Sequence, residues 1–535
     1  MVSTKKKFIL WAITLLMLCT IVSMMIKAVY HADDILFHYA RFGGIREGIL
    51  GGQFPIKYYN NWAYTGGYFS SLFYGDLFLI PFVLLSFLGI PLKACFFLFM
   101  YVLYFGLWVT MFFFAKKFLK EDMSSILCAT IFSTSHYMFY EIFGRAAIGE
   151  AVAIIFYLIL LMGIYNMLHE NYTKPWLFII AFAGILFSHM TTLFFAGITL
   201  VLVVLFNCKK LFIDKKFWIK SSLVLMLFLI VGLYSIASFI EMYFADTYQI
   251  SDPWIIPSNC SQYLINILGF TGANAIGPIL PVLAIVLRIV ISKCEDEDMK
   301  LINKFLIISL VLTVITSKLF PWKLFDGILG GIQFPWRLNF IITILLSIVV
   351  TFEIRILAKN KTETVKILVV FLAFVVLLYN NLRFMKFYDG RELLDYSNRG
   401  VFEWYPVVTE IEDFEDRNIY DNSQNAVAYE RTEHTTDLNF DADGNDDYYI
   451  VPIVCYKGYE ATLVDENGKT SNLVIKRCDN GMIKIFTNKQ KGKVYLHYAG
   501  TTIQNVTFWI SFMGTLVLIV GGTTYAIVKK KREHN

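Results

Sequence analysis

The stretch His31-Ala-Asp33-Asp34-Ile-Leu-Phe37-His38-Tyr-Ala-Arg41 gathers acid, imidazole and guanidinium into one short segment. Adjacent carboxylates repel and raise one another's pKa, so the Asp33-Asp34 pair is unfavourable unless a cation, a proton or a substrate makes use of it. If the segment is helical, Asp34, His38 and Arg41 fall at i, i+4 and i+7 and share a face. That set suits a general base or metal ligand beside a phosphate binder. The plainer reading is a solvated helix end, where charge costs little.

The same loop continues through paired glycines to Tyr58-Tyr59-Asn60-Asn61-Trp62. Tyr58, Tyr59 and Trp62 are suited both to anchoring at a membrane interface and to stacking on sugar rings, and both readings stay open. In Gly144-Arg145-Ala-Ala-Ile-Gly149-Glu150, Arg145 could meet a phosphate while Glu150 orients it or binds substrate; a structural ion pair is the alternative. His189, within Ser188-His189-Met-Thr191-Thr192, reads as a packed histidine or a ligand. In Gln333-Phe334-Pro335-Trp336-Arg337 the proline suits a first helical turn, Trp336 adds an aromatic face, and Arg337 either snorkels or joins Asp34 and Arg145 at one membrane face.

The elements that must hold these residues follow from composition. The chain has 535 residues, 57% of them hydrophobic and 17% charged, with a mean hydropathy of +0.58. A soluble surface cannot be built from so few charges, against about 25% in ordinary domains. This excludes a cytosolic enzyme, a disordered chain and a nucleic-acid binder, because the net charge of +5 is spread over a chain that needs lipid as solvent. Apolar runs at 8–30, 93–115, 124–143, 148–168, 176–188, 191–206, 217–240, 276–292, 301–319, 336–357, 365–382 and 507–528 predict an α-helical polytopic membrane protein of about twelve spans.

Basic loops at Lys116 to Lys120, Lys209 to Lys216, Arg355 to Lys361 and the Lys529 to Arg532 tail belong on the cytoplasmic side. Both termini are then cytoplasmic, and the loops carrying Asp33, Arg145, His189 and Arg337 face outward. That assignment requires Leu72 to Leu88, interrupted by Pro81, to lie along the outer interface or re-enter rather than cross. The predicted organisation is a transmembrane part over 1–383 with an outer loop at 31–92, an extracytoplasmic β domain over 384–506, and a last span with a basic tail over 507–535. Alternating patches at 448–454, 461–464, 473–475, 482–486 and 494–498, separated by Asn467-Gly468 and Asn480-Gly481, predict antiparallel hairpins. Cys455 and Cys478 within that domain are either a disulfide or two buried thiols. No Walker A, GxGxxG, HExxH or GxSxG pattern is present.

Taken together, Asp33-Asp34 with His38 and Arg41, the loop with an interfacial segment, the Arg145 to Glu150 loop, the Phe334-Pro335-Trp336-Arg337 turn and the β domain with Tyr456-Lys-Gly458-Tyr459 resemble the GT-C superfamily of multispanning glycosyltransferases, most closely its bacterial YfhO-like branch. The resemblance implies inverting transfer of a sugar from a polyprenyl-phosphate donor to a cell-envelope acceptor (polymer, lipid or protein) at the outer face of the plasma membrane, among membrane lipids and without nucleic acid. It implies that Asp33 or Asp34 deprotonates the acceptor hydroxyl or holds a divalent cation such as magnesium or manganese. Arg145, Arg337 or His189 would stabilise the departing lipid phosphate. The alternative is a polytopic transporter or a lipid or polysaccharide flippase, and a non-catalytic scaffold whose β domain binds cell-wall polymer is the third class.

Overall fold

An apolar run in lipid must satisfy its own backbone polar groups, and a helix does so within one segment. The computed structural model describes residues 14–25, 32–249, 254–269, 275–292, 298–359, 362–382 and 404–534. Among them, five helices are long and apolar enough to cross a membrane: Leu92–Leu119, Ile148–His169, Lys215–Ala245, Pro335–Leu357 and Thr502–Thr524. Shorter apolar helices occupy Thr14–Met25, Asp122–Ser133, Trp176–Leu186, Met190–Phe206, Ile279–Val290 and Val365–Tyr379. These are the helices of a membrane protein, but among the described residues five rather than about twelve are long enough to span fully.

Breaks inside two of the apolar runs account for part of the difference, and helices of 17 residues such as Met190–Phe206 and Met299–Ile315 for more of it. The 124–143 run is interrupted at Thr134-Ser135, where Ser135 is extended (φ −60°, ψ 154°), leaving Asp122–Ser133 and His136–Phe143. Twelve helical residues reach about 18 Å, well short of the ~30 Å hydrocarbon layer. The 276–292 run likewise yields only the 12-residue helix Ile279–Val290 behind Pro278. Of the 8–30 run only Thr14–Met25 lies among the described residues. Leu72 to Leu88 forms no long helix: the five-residue helix Ile80–Leu84, with Pro81 in its first turn, runs into a 3-10 turn at Leu85–Leu88 that ends on Gly89.

The chain divides into two compact units, Met1–His38 with Lys93–Ser221 and Asp252–Leu393, and Tyr39–Leu92 with Ser222–Ser251 and Leu394–Asn535. In the first unit the Asn339–Leu357 helix is central, packed by Asp122–Ser133, Ile279–Val290 and Met299–Ile315 and buried along most of its length.

The second unit contains a nine-stranded antiparallel sheet: β1 (Ile419–Asp421), β2 (Ala426–Val427), β3 (Tyr429–Arg431), β4 (Leu438–Asp443), β5 (Tyr448–Val454), β6 (Tyr459–Val464), β7 (Thr470–Arg477), β8 (Met482–Phe486) and β9 (Lys491–Tyr498), in the order β2-β1-β5-β8-β7-β6-β9-β4-β3. Alternate residues such as Ala461 and Leu463 of β6 and Val494 and Leu496 of β9 turn inward, the period-two pattern of a half-buried sheet. The predicted hairpins occur at Asp465–Lys469 and Cys478–Gly481. Cys455 and Cys478 are free thiols, half-buried.

The 39–92 segment folds with this sheet. Gly66 O accepts a hydrogen bond from Val454 N–H at 2.9 Å, and Thr65 O accepts one from Arg431 Nη1 at 2.9 Å. Phe73 stacks on Trp404 at 4.2 Å, and Phe69 lies 4.2 Å from the Tyr456 ring. In the same unit Ser511 Oγ accepts from Tyr234 N–H at 2.9 Å, and a Cβ on Gly514 would meet Ile230 Cγ2 at 2.3 Å. Small residues thus let the last helix lie against Lys215–Ala245, as between helices in lipid.

Candidate functional site

The acidic pair is fixed by backbone before any side chain is considered. The amide N–H groups of Asp33 and Asp34 donate to the carbonyls of Gly144 and Arg145 at 3.2 and 2.7 Å. The partner segment is a tight turn: the His136–Phe143 helix ends at Gly144, Arg145 N–H donates to Tyr140 O at 2.8 Å, and Ala147 N–H donates to Glu141 O at 3.0 Å. Ala146 takes a left-handed conformation (φ 55°), and a Cβ on Gly144 would press on the Tyr140 ring at 2.7 Å. The Asp33-Asp34 segment and the Arg145 loop, distant in sequence, are therefore stitched together.

Around that seam lie charged groups from several helices of the first unit. Arg145 Nη1 is 2.5 Å from Glu141 Oε2, one helical turn earlier, and 3.9 Å from Glu150 Oε2. Arg337 Nε is 3.8 Å from the same Glu150 oxygen, which is without a hydrogen bond, while Tyr137 Oη donates to Glu150 Oε1 at 3.2 Å. Arg337 Nη1 donates to Gln333 Oε1 at 3.0 Å. The two guanidiniums share the Trp336 ring, with Arg145 Cζ at 4.4 Å and Arg337 Cζ at 5.9 Å from its centroid. Glu141 and Glu150 are 1% and 2% exposed and both arginines 12%, so these charges interact through a medium poorer than water.

Burial raises the Asp34 carboxyl above its ordinary value; Arg145 pulls it down, Asp33 pushes it up, Arg337 pulls it down and Glu150 pushes it up. Asp33 is also raised by burial and lowered by Arg145. His189 caps the Met190–Phe206 helix, its Nδ1 2.9 Å from Thr192 Oγ1, while Arg337 Nη1 lies 3.4 Å from Thr191 Oγ1 in the same turn.

Asp33, Asp34, Arg145, Glu150, His189, Trp336 and Arg337 therefore assemble in one unit. His38 is also in that unit, buried, with its ring 5.1 Å from Phe37, and its amide donates to Asp34 O at 3.0 Å. Arg41, Tyr58, Tyr59 and Trp62 belong to the second unit. There Arg41 Nη2 is 2.6 Å from Asp76 Oδ1 and donates to Gly75 O at 2.8 Å, and Tyr59 Oη donates to Asp76 Oδ2 at 2.7 Å. Trp62 stacks on Tyr68 at 4.8 Å and Tyr58 on Phe69 at 5.2 Å; all four rings are buried.

Two members of the charged cluster carry no mark in the sequence reading. Glu141 sits inside an apolar run, and the available signal was its i, i+4 spacing to Arg145. Tyr137 has no such signal. Among the described residues no group of three or more His, Cys, Asp or Glu side chains is placed to hold a metal ion. Asp33 and Asp34 are the residues that would hold a divalent cation, which takes one or two carboxylates together with water and substrate phosphate oxygens. Compared with protein-family models, curated proteins and solved structures, the chain matches none.

Proposed function

We propose that the chain is an integral membrane glycosyltransferase of GT-C type that moves a sugar from a polyprenyl-phosphate donor to a cell-envelope acceptor. In this reading the protein lies in a bacterial plasma membrane with both termini cytoplasmic and the cluster at the outer face. One observation carries it: Asp33 and Asp34 are tied by their backbone to the loop of Arg145, and Arg337 comes to the same buried carboxylate, Glu150, as Arg145 does.

The chemistry follows from the donors left over. Arg145 hydrogen-bonds protein through Nη1, to Glu141, and Arg337 Nε is buried without a hydrogen bond. Nε and Nη2 of Arg145 are then available to phosphate oxygens, where guanidinium forks bind strongly, and Arg337 adds its charge from beside Glu150. An Asp34 carboxylate accepts the proton of the acceptor hydroxyl as its oxygen bonds to the anomeric carbon. The bond from that carbon to the phosphate oxygen breaks with inversion, and the electron pair leaves on the lipid phosphate, whose developing charge the two arginines stabilise. Glu141 and Glu150 hold the guanidiniums in place.

The test is sugar transfer in liposomes from a polyprenyl-phosphate sugar. Asp33→Asn and Asp34→Asn are compared with the wild type, and loss of a general base is expected to cost on the order of 100- to 10,000-fold in one of them. If both retain full activity the site assignment is wrong; substrate movement without a glycoside product would assign the chain to transport.

A further inference from the structure

The Asn339–Leu357 helix carries Arg337 just before its first turn, and at its other end the first unit holds a second cationic site. A cavity of about 280 Å³ opens there among the Asp122–Ser133 helix, the end of Asn339–Leu357 and the start of Glu363–Leu382. Its lining combines apolar side chains (Leu127, Ile354, Val369) with cationic ones (Arg355, Lys359, Lys366), and Glu121 is its one carboxylate.

That carboxylate is already engaged. Glu121 Oε2 accepts from Ser124 Oγ at 2.7 Å, Glu121 Oε1 lies 3.4 Å from Lys366 Nζ, and the adjacent Asp122 pairs with Lys116 at 2.7 Å. Arg355 gives Nη1 to Leu119 O at 2.9 Å and lies over the Phe352 ring at 4.6 Å. No carboxylate among the described residues lies within ion-pair distance of Arg355 or Lys359. Two helices of 12 and 20 residues also begin at this cavity, bringing amide N–H groups that have no partner inside their own helix.

We propose that this cavity binds the phosphate of an anionic phospholipid at the membrane boundary opposite the candidate site, independently of the glycosyltransferase reading. Arg355 and Lys359, without carboxylate partners among the described residues, suit an anion, and the apolar side chains lining the same cavity suit one that carries hydrocarbon. A helix of 19 residues spans about 28 Å, so Arg337 and Arg355 sit at the two ends of a membrane-thick element.

The experiment uses the full chain in detergent mixed with equal parts phosphatidylglycerol and phosphatidylcholine, with retained lipid counted by native mass spectrometry. The wild type is expected to retain phosphatidylglycerol preferentially. At about one favourable step per cation, the triple variant Arg355→Gln/Lys359→Gln/Lys366→Gln loses that preference by on the order of a hundredfold. The charge-preserving variant Arg355→Lys/Lys359→Arg/Lys366→Arg keeps most of it. Should the triple variant fail to fold, Lys359→Gln alone loses roughly fivefold by the same reckoning. Added inorganic phosphate leaves retention unchanged if the ligand is a lipid. Equal retention of the two lipids by the wild type, an undiminished preference in the glutamine variants, or displacement by millimolar inorganic phosphate each overturns the proposal.

Discussion

Arg145 is the residue on which the site turns, since it touches Glu141, faces Glu150 and covers Trp336 while its backbone carbonyl holds Asp34. Removing Glu141 would leave a nearly buried guanidinium without its closest partner, so Glu141→Gln is expected to destabilise the first unit by roughly 3–5 kcal/mol, read from thermal unfolding in detergent. Asp33 and Asp34 make a prediction about pH. Burial raises both carboxyls, so an Asp34 acting as base becomes active as pH rises through a value above the ordinary ~3.9, and the acid limb of kcat/KM lies there. The same sign governs stability: the folded chain holds these protons more tightly than the unfolded one, so their contribution is full below the unfolded value and is lost as pH rises through the raised folded value. At this scale the sequence revealed which polar residues break the apolar pattern, including Asp33, Arg145 and Arg337. It concealed Glu141 and Tyr137, because a polar residue inside an apolar run shows its purpose only when its neighbour through space is known. Arg41 shows the converse: its spacing from Asp34 was suggestive, yet its charge goes to Asp76.

Helices and strands were legible to the degree that local pattern determines them. Strands β5 and β8 begin and end where the alternating patches at 448–454 and 482–486 do, and the Asn-Gly pairs mark two turns between strands. Strands β1 to β3, of two or three residues each, carry too few positions for a period to register. The number of full spans was overestimated in part because hydropathy registers composition, whereas Thr134-Ser135 ends one helix and Pro278 delays the start of another without reducing it much. The hairpin turns give a paired prediction. Gly468 and Gly481 both have positive φ, 78° and 86°, but a Cβ on Gly468 meets nothing within 4 Å while one on Gly481 would meet Thr409 Oγ1 at 2.6 Å. Gly468→Ala should therefore cost about 1 kcal/mol from backbone conformation alone, and Gly481→Ala distinctly more, measured as the difference in unfolding midpoint.

At the scale of the whole molecule, the 39–92 segment and the sheet belong to one compact unit although more than 300 residues separate them in sequence. Phe69, Phe73 and Gly66 take their packing and hydrogen bonds from Tyr456, Trp404 and Val454. A chain lacking residues 404–501 is therefore expected to become sensitive to protease within 39–92 while the Leu92–Leu119 helix stays protected; continued protection of 39–92 would show that it folds alone. Composition made the need for lipid plain, but pairing of remote segments depends on three-dimensional contacts that no local pattern encodes. The proposed transfer is tested by single-turnover incubation of the purified full chain in liposomes with a polyprenyl-phosphate sugar and a cell-envelope glycan acceptor. Free polyprenyl phosphate is expected in equal amount to a new glycoside of inverted anomeric configuration, both abolished together in Arg145→Gln/Arg337→Gln. A donor recovered intact, or a product whose anomeric configuration is retained, would contradict it.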